Sequence, residues 1–212
     1  MVLWGLAACL GVSLGTGCGP SGGAWLYTLG LYPKEKIAAE FTIPKGNVLV
    51  LVDDDRDLIQ PTTARDALVD EMAKRLAEHE ISDHVTTNEE LAILRQKEPR
   101  FDERGAREIG QLANADTVVW LCTMDFSINN DLEMVVTPAR FSVTVRVLNA
   151  KADKAEDVRL WPKTEREGRL VSTSVSPHDI RRCKSLKEAH ELMAMALADE
   201  VMKLFYEQEV KE

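Results

Sequence analysis

The sequence lacks most of what binds nucleic acid, metals or nucleotides. No basic run of the kind that grips phosphate occurs in it, and 35 acidic side chains outnumber 26 basic ones for a formal net charge of −9. Nucleic acid is therefore excluded as a partner, because its recognition rests on clustered positive charge. Four cysteines and four histidines form no CxxC pair, no Cys/His ligand spacing and no HExxH helix, which removes structural zinc and zinc hydrolysis. GxSxG and GxxxxGK[ST] are also missing. Gly19–Gly23 is glycine-rich, but no strand feeds it and no Lys-bearing helix follows, so it is a linker and not a phosphate cradle. No cofactor and no resident metal are expected.

Charge is also missing locally, since the first charged side chain after the amino terminus is Lys34. Residues 2–14 (VLWGLAACLGVSL) are an apolar run too short to span a bilayer as a stable helix, and its length suits the apolar region of a signal peptide. Leu14-Gly15-Thr16-Gly17-Cys18 resembles the lipobox of bacterial lipoproteins, in which small residues precede a Cys that is acylated and becomes the new amino terminus. That resemblance implies a signal peptide over 1–17, lipidation at Cys18, and a tether over 18–46. Leu6-Ala7-Ala8-Cys9 fits the same box locally but leaves almost no apolar run ahead of it. Two or three acyl chains hold a protein stably on a membrane without a transmembrane helix. The expected location is the cell envelope, on the bilayer and facing the periplasm. Within the tether, Trp25 lies in an apolar, aromatic stretch suited to a membrane interface or a protein groove.

The remaining chain, 47–212, reads as one α/β domain. Asn47 to Asp53 (NVLVLVD) is a continuous apolar run, as expected of a strand buried on both faces. Ala64, Leu68, Met72 and Leu76 then mark one face of a helix opened by Thr63 and ending near His79. A second strand is expected over 80–86, and a short helix capped by Asn88 ends before Pro99. Asp102 starts a further helix with Ala106, Ile109 and Ala113 inward. Thr117–Phe126 is apolar on both faces and reads as a central strand. In the next strand Phe141, Val143, Val145 and Val147 alternate with Ser142, Thr144 and Arg146, predicting one buried and one wetter face. Residues 127–140 form the connection. A last strand covers Arg169–Val175, paired with Val158–Trp161, and a long helix runs from Leu186 to about Gln208. The order is β-α-β-α-α-β-β-β-α, a mixed sheet backed by helices.

Cys122 lies in the central strand and Cys183 beside a helix start. They form either one disulfide or two free thiols, with Cys122 as a small core residue. His190, on the last helix, reads as a surface or boundary residue.

Asn88-Glu89-Glu90-Leu91, the Gly105–Leu112 helix and Ala115-Asp116-Thr117-Val118-Val119, in this order of elements, resemble a bacterial envelope module. It is the domain shared by the lipoprotein activators of penicillin-binding proteins, the curli secretion lipoprotein and the amino-terminal domain of the Tol-system protein TolB. The resemblance implies a non-catalytic module that docks on an envelope protein. Trp161, before Pro162 and among charged residues, joins Trp25 as a candidate partner-binding anchor. A second likeness is confined to one strand: Val48–Asp55, with its three consecutive carboxylates, resembles the first strand of response-regulator receiver domains. That alternative assigns Asp53, Asp54 and Asp125 to a Mg²⁺-dependent phosphoacceptor site, because a hard cation needs converging oxygens.

Overall fold

A computed structural model describes residues 36–209, with Lys36–Gln208 as one compact unit. Its strands are β1 (Lys36–Ile37), β2 (Asn47–Asp53), β3 (His84–Thr86), β4 (Thr117–Ser127), β5 (Ala139–Asn149), β6 (Arg159–Trp161), β7 (Arg169–Val175) and β8 (Gln208–Glu209). Its helices are α1 (Thr63–Glu78), α2 (Asn88–Lys97), α3 (Ala106–Leu112), α4 (Ala155–Val158), α5 (Pro177–Arg182) and α6 (Leu186–Met202). The main sheet runs β3-β2-β4-β5-β6, with β7 also on β5, while β1 and β8 form a separate two-stranded pair. β3, β2 and β4 are parallel; β4, β5 and the outer strands are antiparallel. The fold is the mixed α/β sheet that the pattern of apolar residues implies.

Alternation along β2 and β4 sends side chains to two different cores. Val48, Val50, Val52, Val119 and Leu121 join Phe141, Val143, Val145 and Val147 under α1 and α6. Leu49, Leu51 and Val118 join Leu91 of α2, Ile109 of α3 and Phe101 in a smaller cluster on the opposite face. Burial on both faces is why these strands read as unbroken apolar runs. α1 and α6 are tied by an ion pair between Arg75 and Asp199, with Glu71 on the other side of the same guanidinium at 2.9 Å. α3 lies so close to the sheet that a Cβ on Gly110 would overlap Val118.

Several local expectations are corrected. Thr63 is the first residue of α1; the cap position belongs to Thr62, whose side chain makes no capping bond. Thr87, not Asn88, caps α2: its hydroxyl accepts from the Glu90 N–H at 3.2 Å and the Glu90 carboxylate accepts from the Thr87 N–H at 2.8 Å. Asn88 instead donates to Asp66 and Asp70 on α1. Asp102 sits in a single 3-10 turn, Phe101–Glu103, and α3 begins only after Gly105. The second strand is confined to His84–Thr86, and α6 stops at Met202. Arg159–Trp161 does not pair with Arg169–Val175; both lie along the same outer edge of β5, at Val147–Leu148 and Ala139–Val145 respectively. α4 and α5 carry no apolar periodicity and are not visible in the sequence pattern. Packing also begins before Asn47, within the stretch read as tether: Ile43 is buried and the Phe41 N–H donates to the Leu204 carbonyl at 3.0 Å.

Candidate functional site

The chemistry-bearing side chains meet where β2 ends against β4 and β5, on the face away from α1 and α6. The register places Asp53 beside Cys122, and Cys122 beside Thr144. Asp55, in the turn that follows β2, lies within hydrogen-bonding reach of the Asp53 carboxyl. The Trp120 indole donates to Asp53 at 3.3 Å. The Arg146 guanidinium lies 4.7 Å from the Trp120 ring centroid, a cation–π contact. Arg146 also donates two hydrogen bonds to the Glu167 carbonyl, at 3.0 and 2.8 Å. Arg159 donates to the carbonyls of Arg166, at 2.8 Å, and Glu165. Gly168, at φ +100°, lets the turn pass this close: a Cβ there would stand 2.9 Å from the Val145 carbonyl and 3.0 Å from Arg146 Cγ.

The electrostatics of this cluster decide what it can do. Burial holds the Asp53 carboxyl above its ordinary pKa, and the hydrogen bond and charge of Asp55 add to it. Burial also pushes the Cys122 thiol up to about 11, with Asp53 and Asp55 reinforcing and Arg146 opposing. The thiolate is the nucleophile and metal ligand; at neutral pH Cys122 is a thiol.

The carboxylates of the receiver-like alternative are dispersed. Asp54 turns to the other side and accepts the N–H groups of Leu58 and Ile59 at 3.0 and 2.8 Å, which closes the loop into α1. Asp125 is exposed and lies three positions beyond the residue opposite Asp53, about 10 Å along the strand. Among the described residues no group of three His, Cys, Asp or Glu side chains is placed to hold a metal ion. Asp53 does gain a cluster, but with Asp55, Trp120, Cys122 and Arg146. The alternation of Trp120 and Cys122 along β4 is the signal that could have placed them beside it.

The other candidates are distributed as follows. Cys18 and Trp25 lie outside the described residues, as does Cys9. Trp161 is half-buried and not a free-standing anchor: its ring stacks on Phe41 at 6.1 Å and meets Phe205 edge-on at 6.2 Å. Cys122 and Cys183 are both free; Cys183 packs against the α1/α6 core, on the opposite side of the sheet from Cys122. Ser142 and Thr144, expected on a wetter face, are 9% and 5% exposed because neighbouring strands flank both. His190 is buried, not at the boundary; its ring meets Phe126 edge-on at 5.4 Å, and neither ring nitrogen has a hydrogen-bond partner.

Beyond the cluster, the outer half of the same sheet face is open. Leu170 is 60% exposed, beside exposed Ser172, Ser174 and Arg140. In the connection between β4 and β5, Met134 and Val136 are 66% and 82% exposed. No helix among the described residues is long and apolar enough to cross a membrane.

No family model matches this chain, and no curated protein does. Solved structures of loosely similar shape do exist. The chain is similar to the PelC dodecamer from Paraburkholderia phytofirmans at 10% identity and a TM-score of 0.42, covering 83% of this chain and 99% of that one. It is similar to the hypothetical protein CT253 from Chlamydia trachomatis at 19% identity and a TM-score of 0.44, covering 74% and 93%. It is also similar to the lipoprotein GNA1162 from Neisseria meningitidis at 13% identity and a TM-score of 0.37, covering 62% and 82%.

Proposed function

We propose that this chain is a membrane-anchored envelope lipoprotein whose α/β domain works as a non-catalytic protein–protein interaction module in cell-envelope assembly or maintenance. The address comes from the lipobox-like Leu14–Cys18, which would fix the chain to the bilayer through acylated Cys18, facing the periplasm. The observation that carries the interaction role is the open outer half of the sheet, where Leu170 stands exposed beside Ser172, Ser174 and Arg140; Met134 and Val136 are a separate pair of exposed apolar side chains in the connection between β4 and β5. Exposed apolar side chains ringed by polar ones are the common form of a protein contact surface. The resemblance of the Asn88–Leu91 and Gly105–Val119 stretches to the envelope module supports the same reading. The dispersal of Asp54 and Asp125 away from Asp53 favours it over the receiver-like alternative.

Two measurements test it. The amino-terminal peptide of the membrane fraction is expected to begin at an acylated Cys18 in the wild type and to lose that mass in Cys18→Ser. A peptide beginning at Met1 without lipid would remove the envelope address. Photo-crosslinkers placed in living cells at Val136 and Leu170 are expected to give one discrete envelope-protein adduct, with none from the exposed, opposite-lying Glu78. Saturable, site-specific amide shifts at Asp53, Asp54 and Asp125 on adding Mg²⁺ would instead favour the phosphoacceptor class.

A further inference from the structure

β7 is the outermost strand of its sheet, and among the described residues it pairs on one side alone. All seven residues, Arg169–Val175, are in register with β5 from Ala139 to Val145 without a bulge. The other edge offers alternate N–H and C=O groups to whatever lies beside it. Natural proteins blunt such an edge with Pro, with Lys, with bulges or by keeping it very short. The sequence RLVSTSV has none of these, its one charge, Arg169, stands at the end, and the stretch Ile37–Glu40 that shares its recess is tied to the strand at that end through Glu40 and Arg169.

The edge also faces a slot. Arg169 to Ser172 form one wall of a cavity of about 330 Å³, Ile37, Ala38 and Glu40 form the opposite wall, and Leu204 lines it from beyond the end of α6. Ile37 is 55% exposed and Leu170 60% exposed, so both walls present apolar side chains to solvent. The four charges at the slot are paired off, Arg169 with Glu40 at 2.9 Å and Lys203 with Glu200 at 2.5 Å. On a molecule of net charge −9, this leaves a locally neutral recess bounded by strand backbone that no described residue pairs.

We propose that the free edge of β7 is a strand-addition site, which takes an extended, uncharged segment of a partner protein into the slot between Leu170 and Ile37. Backbone pairing would supply the affinity and the apolar walls the choice of side chain, as in other sheet-extending complexes. Neutral surroundings select against a charged segment, whose desolvation nothing in the slot would offset. This deepens the interaction-module reading and rests on it.

The test uses the full chain in detergent and two dye-labelled nine-residue peptides: an uncharged one alternating Val with Thr, and the same peptide with Pro at its centre. The alternating peptide is expected to bind saturably, with the Pro peptide at least about tenfold weaker, since Pro removes a ladder donor. Leu170→Lys, at an exposed position, is expected to weaken the first peptide by a similar factor. Amide exchange is the decisive readout. On binding, every second amide of Arg169–Val175 is expected to slow, while the amides already bonded to β5 stay slow throughout. Binding that leaves these outward amides unchanged, or that tolerates the central Pro, overturns strand addition. So does slow exchange without peptide in a protein that sediments as a dimer, because a second copy would then cover the edge. Neither result touches the crosslinks at Val136, so failure of this mode and failure of the interaction module remain separable.

Discussion

His190 sits in the core with neither ring nitrogen hydrogen-bonded, and desolvation holds its pKa below the ordinary 6.5. The unfolded chain therefore takes up a proton below about pH 6.5 that the folded chain does not, and stability falls as pH drops through that value until the folded group also titrates. His190→Leu removes both the orphaned polar group and the titration. At pH 5 it is expected to exceed the wild type by on the order of 1 kcal/mol, with a smaller difference at pH 7.5; urea midpoints at both pH values measure this. An unchanged acid sensitivity in the variant would place the cause elsewhere. Asp53 has the opposite sign. Its folded pKa is raised by burial and by Asp55, so the folded chain retains a proton that the unfolded one releases, and stability declines as pH rises through that window. Asp53→Asn keeps an acceptor for Trp120 and carries no charge. It is expected to melt higher than the wild type at pH 7, with the gap closing near pH 3, as thermal scans would show. Neither residue was fully legible in the sequence. Asp53 was visible as a strand-end carboxylate, but its partners come from strands distant in the chain. His190 lies one position off the Ala189–Met193–Leu197–Val201 stripe and four before Ala194, so only a wider buried arc than that stripe places it inside.

Elements were more legible than their ends. β2, β4 and β5 were readable because each is apolar on at least one face along its length, and burial follows that pattern. Caps were not, because Thr62, Thr63, Thr87 and Asn88 are all good capping residues and adjacent choices differ by a fraction of a turn. The reciprocal bonds of Thr87 and Glu90 settle the start of α2, and the donated Thr87 N–H is the main reason that the Glu90 carboxyl lies below its usual range. Thr87→Ala is expected to cost about 1 kcal/mol in chemical denaturation, whereas Asn88→Ala leaves the capping box intact and loses only the bridge to α1. Equal costs for the two would contradict the assigned cap. Gly110 sets the approach of α3 to the sheet. Gly110→Ala should destabilise, although alanine is the better helix former, because its Cβ would overlap Val118 and press on Ala150 at 3.1 Å.

At the scale of the molecule, one sheet separates two unequal cores, and their inequality should govern how the fold opens. The order of strands and helices was legible because each long element announces its own periodicity. The branching of β6 and β7 along one edge of β5 was not, since a three-residue strand has no period to read. Under α1 and α6 the core is continuous from Val48 to Phe205 and includes the fully buried Leu68, Met72, Met193 and Leu197. On the other side α2 and α3 contribute Leu91, Ala106 and Ile109, each still 6–9% exposed, over a shorter stretch of sheet. Segments with few buried apolar groups open at lower free energy than the rest. The amides of α2 and α3 are therefore expected to exchange faster than those of α1 and α6, by a sub-global opening that leaves β2, β4 and β5 protected. Leu197→Ala, at a fully buried site, is expected to cost about 2–5 kcal/mol and to speed exchange throughout the unit. Leu91→Ala should cost less and act chiefly on α2 and α3. If Leu91→Ala instead lowers protection uniformly, the two cores unfold as one and the separation drawn by the sheet has no energetic counterpart.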